Sequence, residues 1–312
     1  MAAYPQTVLE FNERFHDDLA CRRYLESLRW PEGPHCPRCP QAKVWTMKSP
    51  FYRCAACGHD FTVTAGTLFA DTHLPLRLWF QAMWYVVNQK NGASALGVQR
   101  VLGLGSYRTA WRWLHKLRRA MVRPGRDRLS GTIEVDEIYI GGERTGKRGR
   151  GAGGKALVLI CAQADGAKIG RIRLVRVANA SSPVLTQAIS ASASEGSQVL
   201  TDGWPGYADL TAQGYRHEII RTSAVVGANL LPRANRVAAL LQRWLLGTHQ
   251  GAVGAAHLDY YLDEFTFRFN RRTSGSRGLL FQRLVEQALA LGPVRGDALV
   301  GGTLPQGMGL GE

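Results

Sequence analysis

The chain has 312 residues, with 39 Lys and Arg against 24 Asp and Glu and a formal net charge of +15. That length allows two or three domains with a sizeable core, and no run approaches the ~20 apolar residues of a spanning helix, which argues against a membrane partner. The charge excess points to a polyanion, because phosphate contacts release counterions and dominate nucleic-acid affinity; a chain that is merely basic is the plainer alternative. The opening MAAYPQTVLEFNERFHDD lacks the basic-then-apolar order of a signal peptide, so a cytoplasmic address with reduced thiols is expected.

In chain order, the apolar spacing of Val8, Leu9, Phe11, Phe15, Leu19, Cys21, Tyr24, Leu25 and Leu28 predicts a helix with a break, Cys21 being a small core residue. Cys36-Pro-Arg-Cys39 follows, then a gap of 14 residues, then Cys54-Ala-Ala-Cys57. Two Cys-x-x-Cys knuckles at that spacing suit one tetrahedral, structural Zn²⁺ with a hairpin between them. Four sulfurs close such a site, so His35 and His59 are read as bystanders. Residues 75–119 read as helices, beginning with the densely apolar PLRLWFQAMWYVVNQ. A short helix over Ser94–Leu102, a turn holding Gly103 and Gly105, and a helix capped by Ser106 form a helix-turn-helix pattern. Arg108, Arg112, Lys116, Arg118 and Arg119 lie along its second helix as candidate DNA contacts, against the plainer reading of a solvated basic face. Arg123–Ser130 reads as a linker.

Thr132–Gly142, TIEVDEIYIGG, is β-branched and apolar, yet it carries Glu134, Asp136 and Glu137. Buried carboxylates need a partner, a shifted pKa or a metal, and the cluster points to a metal with Asp136 as first ligand. The Gly-rich basic stretch RTGKRGRGAGGK (144–155), with Lys147, Arg148 and Arg150, is a candidate phosphate clamp or a solvated loop. Strands are expected at 156–163, 171–177, 198–202 and 217–222, and helices over 183–193 (capped by Ser182), 207–213, 232–246 and 256–270. Three strands in a meander, then alternating helices and strands, is the ribonuclease H order. It places Asp136 mid-strand beside the strand that ends at Asp202, where two carboxylates can hold Mg²⁺ or Mn²⁺ for attack on phosphate. A turn Asp capping the next segment is the alternative for Asp202. The third ligand is sought on the helix at 232–246, which has no acid; Asn235 offers a neutral carbonyl, or is simply a polar helix residue, and Gln242 lies two turns further on.

The chain resembles bacterial insertion-sequence transposases of the fifteen-ninety-five family, with their zinc ribbon and ISXO2-like DDE domain. The resemblance runs from ACRRYLESLRWPEGPHCPRC at Ala20–Cys39 through GSYRTAWRWLHKLRRAM, VDEIYIGG and TDGWPGY to HLDYYLDEFTFRFNRR, and so covers nearly the whole chain. It implies that Asp136 and Asp202 are the first two catalytic positions, that the third (Glu, Asn or His in the family) is Asn235, and that Gln242 stands where a Lys is usual. Arg236 or Arg243 would then compensate for that charge, or the copy is a decayed one. Glu264 is a distant second choice as the missing acid; pairing with an Arg suits it better. The implied architecture is α/β: an N-terminal helix and zinc ribbon (1–72), a helix-turn-helix region (73–122), a ribonuclease H-like catalytic domain (131–290) and a flexible Gly-rich tail (291–312). The implied partners are double-stranded DNA, as terminal inverted repeats and as target, and further copies of the chain in a homodimer or larger assembly. The implied place of action is the bacterial nucleoid.

Overall fold

The structure, a computed structural model, describes residues 4–39, 42–48, 50–123, 125–141, 155–220, 229–294, 296 and 299. The chain forms two compact units, the first from Met1–Met121 with Ser274–Val300 and the second built on Val122–Thr273.

The first unit begins with α1 (Val8–Arg14) and α2 (Asp18–Arg29), and the break between them has a local cause. The side chain of Asp17 accepts from the Ala20 amide at 2.7 Å, starting a new helix just as α1 ends at Phe15. Strands β1 (Val44–Thr46), β2 (Tyr52–Cys54) and β3 (Asp60–Phe61) form an antiparallel ribbon. Helices α3 (Leu76–Asn88), α4 (Ala95–Leu102) and α5 (Tyr107–Ala120) follow. Ser94 caps α4 by accepting from Gly97, and Ser106 caps α5 by accepting from Arg108. Between them Gly103 takes the left-handed conformation (φ 63°) that closes α4, a position costly for residues with a Cβ. The core is aromatic: Phe11, Phe15, Tyr24, Phe80 and Trp84 ring Phe281, which lies at 5.4 Å from Phe11 and 5.5 Å from Phe80 between ring centroids.

Phe281 belongs to the last helix, here α9 (Arg277–Ala290), which packs on α2, α3 and α5. The range 131–290 expected for the catalytic domain is therefore corrected: the second unit ends at Thr273, and the chain returns to complete the first unit's core. Of the tail expected at 291–312, residues 301–312 lie outside the described residues.

Among the described residues the second unit has five strands, β4 (Thr132–Ile140), β5 (Ala156–Asp165), β6 (Lys168–Val177), β7 (Gln198–Thr201) and β8 (Arg216–Ile219), in the spatial order β6-β5-β4-β7-β8. The meander β4-β5-β6 is antiparallel, and β7 and β8 join β4 in parallel. A parallel return needs a crossover, supplied by α6 (Ser182–Ser192). On one face of the sheet α6 and the two-turn 3-10 segment Pro205–Leu210 cover Ile133, Val135, Leu159 and Val199. On the other, α7 (Pro232–His249) and α8 (Leu258–Asn270) cover Ile140, Val158, Ile160 and Ile172. Helix α6 begins one residue early, with Ser181 at its N-cap, because Ser182 instead hydrogen-bonds Asp209. The expected linker is partly structural: Leu129 is fully buried and bridges Ala193. The whole is an α/β chain with a ribonuclease H-like sheet behind a zinc ribbon and a helical region.

Candidate metal centres and nucleic-acid surface

The ribbon's four cysteines come together. The sulfurs of Cys36, Cys39, Cys54 and Cys57 all lie within 4.8 Å of one another, and Cys36 and Cys57 are 3.8 Å apart. Tetrahedral zinc with bonds of about 2.3 Å sets its sulfurs about 3.8 Å apart, so the spacing fits. The backbone amides of Cys57 and Ala56 help to pull the Cys54 thiol down to about 7, toward the thiolate that a metal takes. His35 and His59 pack beside Trp30 and Phe61, as bystanders do. Around the cysteines Trp30, Tyr52 and Phe61 are in mutual contact, the Tyr52 hydroxyl donates to Glu26 at 2.7 Å, and Arg53 and Asp60 form a two-pronged pair at 2.6 Å.

In β4 alternate side chains part to the two faces. Ile133 and Val135 enter the α6 layer, and Glu134, Asp136, Ile138 and Ile140 face the α7 layer. Each of the three carboxylates has a distinct surrounding. Glu134, 2% exposed, accepts from the backbone amides of Arg233 (2.6 Å) and Ala234 (2.9 Å) and pairs with the Arg233 guanidinium at 2.8 Å. Glu137 points the other way and accepts from the Tyr207 hydroxyl. Burial, followed by the charge of Glu137, holds that phenol far above its ordinary range. Asp136 is half-buried and accepts from the Glu137 amide at 2.9 Å. Glu134 is thus tied to the start of α7 and Glu137 to Tyr207 on the other face, while Asp136 shares the α7 side with Glu134.

Asp202 is the first residue beyond β7 and is exposed. The β4–β7 ladder pairs Thr132 with Gln198, Ile133 with Val199 and Glu134 with Leu200. Asp136 and Asp202 each lie two residues beyond the last of these pairs, Asp136 within β4 and Asp202 just past the end of β7. One oxygen of Asp202 accepts from the Trp204 amide at 3.0 Å, so the turn role anticipated for it is present as well. Asn235 is exposed in the first turn of α7, where its amide donates to Asn229 at 2.6 Å. Gln242 is exposed seven residues later, ~10 Å along the same face. Carboxylates and an amide carbonyl are the hard oxygen donors that Mg²⁺ and Mn²⁺ prefer. Glu264 lies apart from these residues, fully buried in α8 with the Arg268 guanidinium at 3.8 Å. Sequence reading missed the partners of Glu134 and Glu137, although alternation along the strand already separated the two faces.

Of the basic residues expected to meet DNA, Arg108 is exposed, and Arg112, Lys116 and Arg119 are half-buried. Arg118 is corrected: it is 1% exposed and lies against His115 at 3.3 Å, so it belongs to the packing of α5. Lys116 sits 5.9 Å over the Trp79 ring, and burial lowers its pKa. Lys147, Arg148 and Arg150 lie outside the described residues.

The sheet order and the four-cysteine ribbon define a ribonuclease H-like protein with an N-terminal zinc ribbon. Residues 128–270 match the ISXO2-like transposase domain, and residues 16–60 match the transposase zinc-ribbon domain. With both domains in order along it, the chain belongs to the fifteen-ninety-five family of insertion-sequence transposases. A protein of Halobacterium salinarum described as an uncharacterized protein in transposable element ISH50 is 30% identical over 130 residues, which is 40% of this chain. The match spans only 42% of that relative's length.

Proposed function

We propose that the protein is a DNA transposase that binds the terminal inverted repeats of its element, cuts the DNA and joins the freed 3′-hydroxyl to a target. The observation that supports this reading is the parallel β4–β7 register, which pairs Glu134 with Leu200, each two residues before one of the two aspartates. Asp136, Asp202 and the carbonyl of Asn235 would hold Mg²⁺ or Mn²⁺. When bound, such ions activate an attacking oxygen and stabilise the leaving one. The two aspartates supply the charge; Asn235 supplies a neutral oxygen, which predicts weaker metal binding than three carboxylates give. Gln242 would hydrogen-bond DNA phosphate without neutralising it, leaving charge to Arg236 and Arg243. The zinc ribbon and helix-turn-helix would select the DNA, and holding two ends together calls for a homodimer or larger assembly. Among the described residues no helix is long and apolar enough to cross a membrane, in keeping with action on cytoplasmic, nucleoid DNA.

The lack of an acid on α7 favours one second reading, a zinc-containing repressor or decayed copy that grips DNA without cutting it. The test is a nicking and strand-transfer assay on inverted-repeat DNA, run with Mg²⁺ and with Mn²⁺, comparing wild type with Asp136→Ala. Nicked and joined products from wild type alone support the transposase. Nicking without joining indicates a nuclease, and binding without nicking indicates the repressor. Equal activity in both proteins removes Asp136 from the mechanism.

A further inference from the structure

We propose that Glu134 is the positioning residue of the acidic site, and that its bonds to the start of α7 fix where Asn235 stands relative to Asp136. The inference rests on the reading of Asp136, Asp202 and Asn235 as metal ligands.

A helix begins with amides that no intrahelical carbonyl satisfies, and they are usually met by a polar N-cap side chain. In α7 the N-cap is Leu231, which makes no side-chain cap, and Pro232 at the first position has no N–H to satisfy. The next two amides, of Arg233 and Ala234, are both taken by Oε2 of Glu134, 99 and 100 residues away in sequence. A carboxylate there is favoured by the helix dipole as well as by the hydrogen bonds. Arg233 closes the arrangement from the other side. Its Nη1 donates to Glu134 Oε1 at 2.8 Å, its Nη2 to the Gly166 carbonyl at 2.8 Å and its Nε to the Lys168 carbonyl at 3.3 Å. Strand β4, the β5–β6 turn and α7 are thereby pinned at one point.

That point is as close to the proposed ligands as the chain allows. Asp136 is two residues beyond Glu134 on the same strand and the same face, and Asn235 directly follows Ala234. Replacing a buried ion pair by apolar residues often costs a fold nothing, so stability alone is a weak account of a buried carboxylate here. Fixing a neutral ligand is a stronger one. Asn235 brings no charge to draw a cation, so its contribution depends on its oxygen already being in place, a task that supporting hydrogen bonds commonly perform at metal sites.

The test uses the full-length, zinc-loaded chain and Mn²⁺ titration followed by electron paramagnetic resonance. Glu134→Gln keeps the side-chain shape and one acceptor oxygen while losing the charge. It is expected to weaken Mn²⁺ binding on the order of tenfold, to speed hydrogen exchange at amides 233–238, and to lower kcat for DNA cleavage in proportion while the KM for DNA stays unchanged. Glu134→Asp, which retains the charge, is expected to recover part of both the Mn²⁺ affinity and the exchange protection, and it serves as the second probe should the Gln variant not fold. If Glu134→Gln melts earlier but below its melting temperature binds Mn²⁺ as wild type does, Glu134 is only structural and the proposal is overturned, while a loss of Mn²⁺ binding in Asp136→Ala would leave the metal reading intact. If wild type and Asp136→Ala bind Mn²⁺ equally, the metal reading itself falls and takes this proposal with it.

Discussion

Tyr207 has no exposed surface, and its hydroxyl is the donor that Glu137 accepts. Tyr207→Phe keeps the ring and removes that hydrogen bond, so it should destabilise the second unit by about 1–3 kcal/mol, the usual worth of a hydrogen bond to a carboxylate. Calorimetric melting checks it; an unchanged transition would mean that water replaces the phenol at no cost. Asn235→Asp acts in the opposite sense on function: a third carboxylate should lower the Mg²⁺ concentration needed for half-maximal cleavage on the order of tenfold. A variant with the same Mg²⁺ midpoint would count against residue 235 as a ligand. His217 gives the pH term. Its ring bonds Thr201 at 2.9 Å, and burial lowers its pKa from 6.5, so the fold favours the neutral ring. A depressed folded pKa means stability that is fully present above 6.5 and is lost as pH falls through the folded value. The second unit should therefore melt earlier on acidification below that pH, and His217→Asn should flatten this part of the profile.

Among elements, the ribbon depends most on something other than its own packing. Three strands of three, three and two residues around Trp30, Tyr52 and Phe61 make too small a core to stand alone. Stripping the metal with a chelator should release one zinc per chain and erase the near-ultraviolet circular dichroism of Trp30, leaving the second unit's melting unchanged. Survival of that signal in the metal-free chain would show that zinc is dispensable to the ribbon. The Cys-x-x-Cys pair was legible in sequence because ligand spacing is a local property, and so were the Ser106 cap of α5 and the strand-helix order of the second unit. What local pattern does not carry is which distant element completes a core. Helix α9 follows α8 within the range expected for the catalytic domain, and Phe281 inside the ring of Phe11, Phe15, Phe80 and Trp84 assigns it to the first unit. Arg118 eluded sequence reading for a related reason. It lies four residues after Leu114 on the border of the buried Ala110, Leu114 and Leu117 face, where spacing alone does not say whether an arginine turns inward. That β4 and β7 lie side by side was legible as topology, but the partners of Glu134 and Glu137 come from residues about 100 and 70 positions away.

At the scale of the whole molecule the net charge of +15 is the property that a polyanion meets first. Binding to DNA should weaken steeply with salt, with log K falling linearly in log salt by about 0.9 for each phosphate neutralised. The burial of the α5 arginines makes this specific to residues. Arg108 is exposed and Arg118 is not, so Arg108→Ala should shallow the slope by about one phosphate, whereas Arg118→Met should leave the slope of the folded protein unchanged and show its effect in stability. Gln242→Lys should steepen the slope by a similar amount if α7 faces the backbone. The double variant Asp136→Ala, Asp202→Ala raises the formal charge from +15 to +17; in metal-free buffer it should bind inverted-repeat DNA at least as tightly as wild type, and with Mg²⁺ added it should cut none of it. That combination separates the two halves of the proposed activity: grip comes from the summed positive field, and chemistry from two acids that individually oppose binding to a polyanion. Weaker metal-free binding by the double variant would mean that the acids hold the DNA surface together structurally, and the division between gripping and cutting would have to be abandoned.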